Sequence, residues 1–180
     1  MTTRRAFIKL AAAVVAVPTL ARSVLFGSPD PLSESKWLTF YNTHTGEALS
    51  ETYCCSGQLL PSALQKINHI LRDHRTGDVR EIDVRLLDLL HRLAEEVRCS
   101  QPFHIISGYR SKQTNDYLRQ SRVGVAAGSL HMSGQAVDIR VPGCSLSDLR
   151  QAALALKAGG VGYYPKPDFV HVDVGRVRCW

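Results

Sequence analysis

Three side chains in this sequence, His131, Asp138 and His171, are of the types that bind a zinc ion. Gly134 lies between the first two, and the β-favouring run 136–141 follows it, which predicts a turn that leads into a strand. A catalytic zinc site takes three protein ligands, usually imidazole nitrogens and carboxylate oxygens, and leaves the fourth position to water. Two histidines and one aspartate match that ligand set.

The run 169–174 alternates apolar and polar residues, which is typical of a β-strand. Side chains on a strand alternate between its faces, so Phe169, His171 and Asp173 share one face. If this strand lies beside the one that carries Asp138, the three ligands can converge. The alternative is two ordinary histidines and a hydrogen-bonded carboxylate. A buried carboxylate between two apolar neighbours needs a partner, however, and a metal would be one.

Several separate motifs resemble one family of enzymes. His131-x6-Asp138 followed by His171 is similar to the zinc peptidases that include D-Ala-D-Ala carboxypeptidases, vancomycin-resistance dipeptidases and lysostaphin-type enzymes. The closer resemblance, from about Leu38 onward, is to an exported murein endopeptidase subgroup. It rests on the runs 107–111, 129–138, 159–165, 169–173 and 178–180, which occur in the family's order.

The resemblance implies a cofactor, a fold and roles for individual residues. It implies a Zn²⁺ ion on His131, Asp138 and His171, in the fold shared by Hedgehog and D-Ala-D-Ala peptidases. In the resembled family the arginine of the Gly-Tyr-Arg motif, here Arg110, stabilises the oxyanion formed when water attacks the amide, or holds a substrate carboxylate. A planar guanidinium with five donors suits both tasks, and a structural salt bridge is the alternative.

The general base has two candidates. In many members of the resembled family an acidic residue lies three positions before the last histidine, and here that residue is Asp168. Its neighbours Lys166 and Pro167 indicate a turn, so Asp168 could instead be a surface residue. Asp173 shares a strand face with His171 and could orient that imidazole. We expect Asp168 to act as the base and Asp173 to support His171.

The order of the elements predicts an α+β fold. Apolar residues recur at helical spacing in 62–72 and 83–98, whereas most strand-like runs, such as 103–107, 161–164 and 169–174, come later. We therefore expect a small antiparallel sheet with helices packed on one side and the metal site on the other.

The first residues resemble a twin-arginine export signal. Arg4 and Arg5 precede a short apolar run at 10–17, which falls far short of the roughly 18 apolar residues that a spanning helix needs. We expect 1–28 to be a signal peptide with a short linker and 29–180 to be a zinc peptidase domain. The mature protein would then be periplasmic, without a membrane span.

The charge and length narrow the class of protein. A chain of 180 residues has room for one domain with a sizeable core. Its formal charge is +6, and without Arg4, Arg5 and Lys9 the 22 basic residues fall to 19 against 16 acidic ones. This weak excess gives no indication of a nucleic-acid partner. The sequence makes no prediction of the oligomeric state.

The leading hypothesis is a zinc-dependent murein peptidase that hydrolyses amide bonds in the stems or cross-links of peptidoglycan during cell wall remodelling. An endopeptidase is favoured. Two alternatives stay open: a D-Ala carboxypeptidase, and a non-catalytic zinc-containing module that binds peptidoglycan or a protein. Hydrolysis that depends on the base and on Arg110 would distinguish the enzymes from the binding module.

Overall fold

The computed structural model describes residues 35–97, 101–121 and 125–180, so the expected signal segment 1–28 lies outside the described residues. The described part of the chain has an α+β fold, as predicted. The strands are β1 (Lys36–Asn42), β2 (Ala48–Cys55), β3 (Gln58–Leu59), β4 (Phe103–Ser107), β5 (Ala136–Arg140), β6 (Gly160–Tyr164), β7 (Phe169–Asp173) and β8 (Arg178–Cys179). The helices are α1 (Pro61–Ile70), α2 (Val84–Val97), α3 (Lys112–Ser121) and α4 (Leu146–Leu156), with a short 3₁₀ helix at Leu130–Ser133.

These strands form one sheet in the order β3-β2-β1-β4-β5-β7-β6-β8. Strands β1 and β4 pair in parallel, as do β6 and β8, whereas the other neighbours are antiparallel. The expectation of a small antiparallel sheet is therefore corrected to a larger, mixed one. Parallel strands need a long crossover connection, and α1 and α2 lie in the segment that joins β1 to β4.

Alternation along β5 and β7 separates the core from the polar residues. Val137 and Ile139 of β5 and Val170 and Val172 of β7 are buried in the hydrophobic core. The core also contains apolar side chains of α2 and α4, and α4 contacts β6 and β7. The residues that alternate with these four along each strand face the other side of the sheet, because strand side chains alternate. Two of the predicted ligands, Asp138 and His171, are among them, whereas His131 lies in the 3₁₀ helix.

Serine hydroxyls cap two of the helices. Ser145 Oγ accepts a hydrogen bond from the Asp148 backbone N–H at 3.1 Å at the start of α4. Ser111 Oγ accepts one from the Thr114 N–H at 3.2 Å at the start of α3. Each bond satisfies a backbone donor that the first turn of a helix leaves unpaired.

A buried aspartate joins the start of α3 to the loop after α1. Asp73 Oδ2 accepts from the Ser111 N–H at 2.8 Å, and Asp73 Oδ1 accepts from the Arg75 N–H at 2.9 Å. Burial acts to raise the pKa of Asp73, but hydrogen bonds from Thr114, Arg75 and Ser111 outweigh it and lower the pKa to about 2. Asp73 is therefore an ionised anchor of this loop at neutral pH.

None of the helices in residues 35–97, 101–121 and 125–180 combines the length and the apolar character that a membrane crossing requires.

Candidate metal centre

A tight turn places His131 next to β5. His131 lies in the 3₁₀ helix, which ends at Gly134 in the left-handed conformation with a φ of 70°. L-residues with a side chain rarely adopt that φ, and a Cβ at Gly134 would also strike the backbone of Glu81. The turn that the sequence predicted before the strand is confirmed, and glycine is what allows it.

Antiparallel pairing sets Asp138 of β5 directly opposite His171 of β7. Asp138 Oδ1 lies 2.8 Å from His171 Nδ1 and 3.2 Å from His131 Nε2. The two histidine nitrogens are 3.2 Å apart, and all three residues are buried. Tetrahedral zinc with bonds of about 2.0–2.1 Å holds its ligand atoms roughly 3.3 Å apart. The three donor atoms are therefore spaced as the ligands of one such ion would be.

The remaining nitrogen of each imidazole has its own acceptor. His131 Nδ1 donates to the Gly108 carbonyl at 2.8 Å, and His171 Nε2 donates to Asp173 Oδ2 at 3.1 Å. Such bonds fix the tautomer and the orientation of a metal-binding histidine. They leave His131 Nε2 and His171 Nδ1 directed at Asp138, which is the arrangement a metal needs.

The electrostatics of the cluster keep two of the three groups in the forms that bind metal. Burial lowers the pKa of His131, so its ring is neutral. Burial acts to raise the pKa of Asp138, but His131 and His171 hold that pKa far below its usual range. Burial also acts to lower the pKa of His171, yet its bonds to Asp138 and Asp173 raise it to about 9. A bound metal would have to displace only the His171 proton.

Asp173 supports His171 from behind. This carboxylate is fully buried and accepts from the backbone N–H groups of Gly160 at 3.0 Å and Gly175 at 2.8 Å, and from Arg178 Nη2 at 2.8 Å. Burial acts to raise the pKa of Asp173, but His171, Arg178 and the two amides lower it far below its usual range. Asp173 is therefore ionised and held in place, next to the imidazole nitrogen of His171 that does not face Asp138.

Arg110 lies beside the cluster, three residues after β4 ends at Ser107. Its backbone N–H donates to the His131 carbonyl at 3.2 Å. Its Nη2 lies 3.5 Å from Asp138 Oδ2 and 3.4 Å from Ser107 Oγ. The salt bridge that was the alternative for Arg110 is therefore present, on the carboxylate oxygen that does not face the histidines. The same contact brings the guanidinium next to the predicted ligands.

Asp168 lies in the turn between β6 and β7, with a φ of 58°. Its side chain is 58% exposed, and its carboxylate accepts from Arg140 Nη1 at 2.7 Å. The structure thus brings Asp173 and Arg110 to the predicted ligands, whereas it holds Asp168 in a surface ion pair.

Two supporting groups were missed in the sequence. The Gly108 carbonyl, which orients His131, is a main-chain atom, so no residue type could indicate it. Arg178, which binds Asp173, comes five positions later in the chain, beyond the strand that predicted Asp173. Both lie in runs that carried the family resemblance, and that was the only signal available.

Comparison with known proteins identifies the family. A peptidase M15 family model described as peptidoglycan L,D-endopeptidase MepK matches residues 31–180. The peptidoglycan L,D-endopeptidase MepK of Escherichia coli strain K12 is 40% identical over 173 residues, which are 96% of this chain and 91% of that protein. The probable peptidoglycan L,D-endopeptidase MepK of Haemophilus influenzae is 35% identical over 180 residues, covering 98% and 95% of the two chains.

These matches confirm the resemblance to the zinc peptidases of murein, and they favour the endopeptidase over the carboxypeptidase and the binding module. Zinc dependence is a property of the M15 peptidases, and the His-Asp-His cluster suits that ion. The chain belongs to the M15 family of peptidoglycan-cleaving metallopeptidases described as peptidoglycan L,D-endopeptidase MepK.

Proposed function

We propose that this chain is a zinc-dependent endopeptidase that cuts an amide bond between an L and a D centre within the peptides of peptidoglycan. The observation that carries the proposal is the convergence of His131 Nε2, Asp138 Oδ1 and His171 Nδ1 in one buried cluster. The names of the relatives from Escherichia coli and Haemophilus influenzae support the choice of bond.

In this proposal His131, Asp138 and His171 hold the zinc. Zinc bound there polarises the scissile carbonyl and lowers the pKa of the attacking water. The Gly108 carbonyl and Asp173 keep both imidazoles in the metal-binding orientation. Because these supports are already in place, the ligands need little reorganisation during the reaction.

Arg110 is proposed to donate hydrogen bonds to the oxyanion that forms on the scissile carbonyl. An endopeptidase cuts inside a peptide, so a terminal carboxylate need not lie at the cut bond, and we assign the guanidinium to the oxyanion. The contact of Arg110 Nη2 with Asp138 Oδ2 at 3.5 Å supports this position. The contact is longer than a typical charged hydrogen bond, so a substrate oxygen can compete for the donor.

Asp168 is proposed as the general base that takes the proton of the attacking water. Asp173 is less suited, because His171, Arg178 and two backbone amides already occupy its carboxylate. The bond of Asp168 to Arg140 lies at the surface, where an ion pair contributes little and exchanges readily. The assignment requires the β6–β7 turn to carry Asp168 from Arg140 to the attacking water.

We further propose that residues 1–28 direct export to the periplasm by the twin-arginine route and that 29–180 form the mature domain. The Arg4-Arg5-x-Phe-x-Lys pattern before a short apolar run supports this route. The substrate supports the destination, since peptidoglycan lies outside the cytoplasm.

Mass analysis of digested peptidoglycan tests the proposed reaction. Zinc-loaded protein is incubated with cross-linked muropeptides, with and without a chelator, and His131→Ala serves as the matched control. We expect dimers to become monomers with the uptake of one water, and chelator to prevent this. Release of terminal D-Ala from intact dimers would indicate a carboxypeptidase instead. Tight binding to peptidoglycan without cleavage would indicate a binding module.

A further inference from the structure

An indole ring lies directly beside one of the predicted zinc ligands. The ring centroid of Trp180 is 5.3 Å from that of His171, and the two planes are tilted by 48°. Trp180 is nevertheless 47% exposed, although large aromatic residues are usually well buried. An exposed aromatic side chain in contact with a ligand of the reactive centre forms part of the surface that a substrate meets.

The exposed indole is held in place. The backbone N–H of Trp180 donates to the Val161 carbonyl at 3.2 Å, and the backbone carbonyl of Trp180 accepts from the Tyr163 backbone N–H at 3.0 Å. Indole Nε1 donates to Tyr164 Oη at 2.7 Å, and the Arg178 guanidinium lies 4.8 Å from the ring centroid. These contacts fix the ring and satisfy its polar atom, so its position does not depend on a bound ligand.

A glycine makes room for the ring. Gly162 lies opposite His171 in the pairing of β6 with β7. A Cβ at Gly162 would lie 2.8 Å from a carbon of the Trp180 indole, closer than such atoms approach in proteins. Any larger residue at position 162 would push the indole away from His171.

Two more aromatic rings extend the same surface. Phe169 shares its β7 face with His171, and Tyr164 lies opposite Phe169 on β6. The Tyr164 and Phe169 rings stack with centroids 4.6 Å apart and an angle of 22°. Trp180, Tyr164 and Phe169 thus form an aromatic wall that begins at the metal centre and runs along β6 and β7.

We propose that Trp180 is a specificity-determining residue, on whose face the aliphatic part of the substrate residue next to the scissile amide packs. This proposal rests on the proposed function and names one of its subsites. An extended peptide advances about 3.3–3.6 Å per residue, so only a residue flanking the cut bond can reach a ring in contact with His171. A sugar of the glycan strand, joined through the rest of the stem peptide, would lie farther away.

Steady-state kinetics on cross-linked muropeptides test this subsite. Trp180→Ala should raise KM by about tenfold, leave kcat within about threefold, and retain one zinc, because the contact binds substrate without taking part in the chemistry. Trp180→Phe should recover most of the lost affinity, since it restores an aromatic face. An unchanged KM in Trp180→Ala, or a loss of zinc, would overturn the proposal.

Fluorescence separates this proposal from the proposed function. The chain has two tryptophans, so Trp37→Phe leaves Trp180 as the sole indole reporter. Trp37 is an exposed residue of β1 and belongs to no part of the metal centre. In rapid mixing with cross-linked muropeptides, a saturable change in Trp180 emission is expected even if no bond is cut. An unchanged emission spectrum at saturating muropeptide would overturn the subsite, whereas binding without hydrolysis would overturn only the proposed reaction.

Discussion

Replacing Asp173 with Asn should weaken zinc binding without touching a predicted ligand. Asp173 Oδ1 accepts from the Gly160 and Gly175 amides, and Oδ2 accepts from His171 Nε2 at 3.1 Å and from Arg178 Nη2 at 2.8 Å. An asparagine that keeps its oxygen on the two amides turns its NH₂ group toward His171 and Arg178. Donors would then face donors, and His171 would lose the acceptor that orients it.

The size of the effect follows from the role of this carboxylate. Loss of a partner that orients a metal-binding histidine typically costs 10–100-fold in affinity, or about 1.4–2.7 kcal/mol. Breaking a buried ion pair costs roughly 3–5 kcal/mol of stability. The Arg178 side chain is 34% exposed and can recover some solvation when the pair is broken. We therefore expect the free energy of unfolding to fall by about 3 kcal/mol, the lower end of the range for ion pairs.

Competition with a chromophoric chelator at fixed pH measures the zinc affinity, and denaturant unfolding of the zinc-free protein measures the stability. Asp168→Asn is the matched control, because it makes the same substitution on an exposed carboxylate. The control should bind zinc as the unchanged protein does. If Asp173→Asn bound zinc within about twofold of the unchanged protein, the reasoning about His171 would be refuted.

Three further predictions address the loop anchor, the reaction and export. Asp73→Asn should lower the free energy of unfolding by about 2 kcal/mol at pH 7, because the folded pKa near 2 lies below the ordinary 3.8. That difference should shrink as pH falls below about 4 and should be lost only below about 2, where the native carboxylate is also protonated. Denaturant unfolding at pH 7 and below pH 2 measures it, and an equal difference at both would contradict this reasoning. Arg110→Ala should lower kcat by roughly 10²–10³-fold, and Asp168→Asn should abolish most activity, both with zinc retained; full activity in either variant would remove its assigned role. Arg4→Lys with Arg5→Lys should keep the protein in the cytoplasm, and cell fractionation showing normal periplasmic delivery would refute the twin-arginine route.

Local sequence patterns predicted much of the fold. Helical spacing of apolar residues predicted α1 and α2, and strict alternation predicted β7, because each pattern is determined within one element. The parallel pairing of β1 with β4 could not be predicted, since it joins segments separated by a hairpin and two helices. Register across such distances depends on the whole packed sheet, which no local pattern records.

Only part of the candidate site could be predicted, because the direction of a side chain, like the register of a strand, depends on contacts between distant segments. His131, Asp138 and His171 have side chains of metal-binding types, and the structure brings their donor atoms together, although their role as zinc ligands stays a prediction. The family resemblance suggested Asp168 as the base, but the direction of its side chain depends on the β6–β7 turn, where Asp168 has a positive φ and its exposed carboxylate binds Arg140. Trp180 gave no chemical signal, because its place beside His171 arises from the pairing of β8 with β6.

Zinc titration of the metal-free protein tests the central claim most directly. Hydrolysis of cross-linked muropeptides is followed while zinc is added in substoichiometric steps. The ligand set of His131, Asp138 and His171 predicts that the rate rises linearly and stops rising at one zinc per chain. His131→Ala should show no such rise at the same zinc concentrations. Full hydrolysis by rigorously metal-free protein, or equal activation of His131→Ala, would contradict a zinc peptidase built on these three residues.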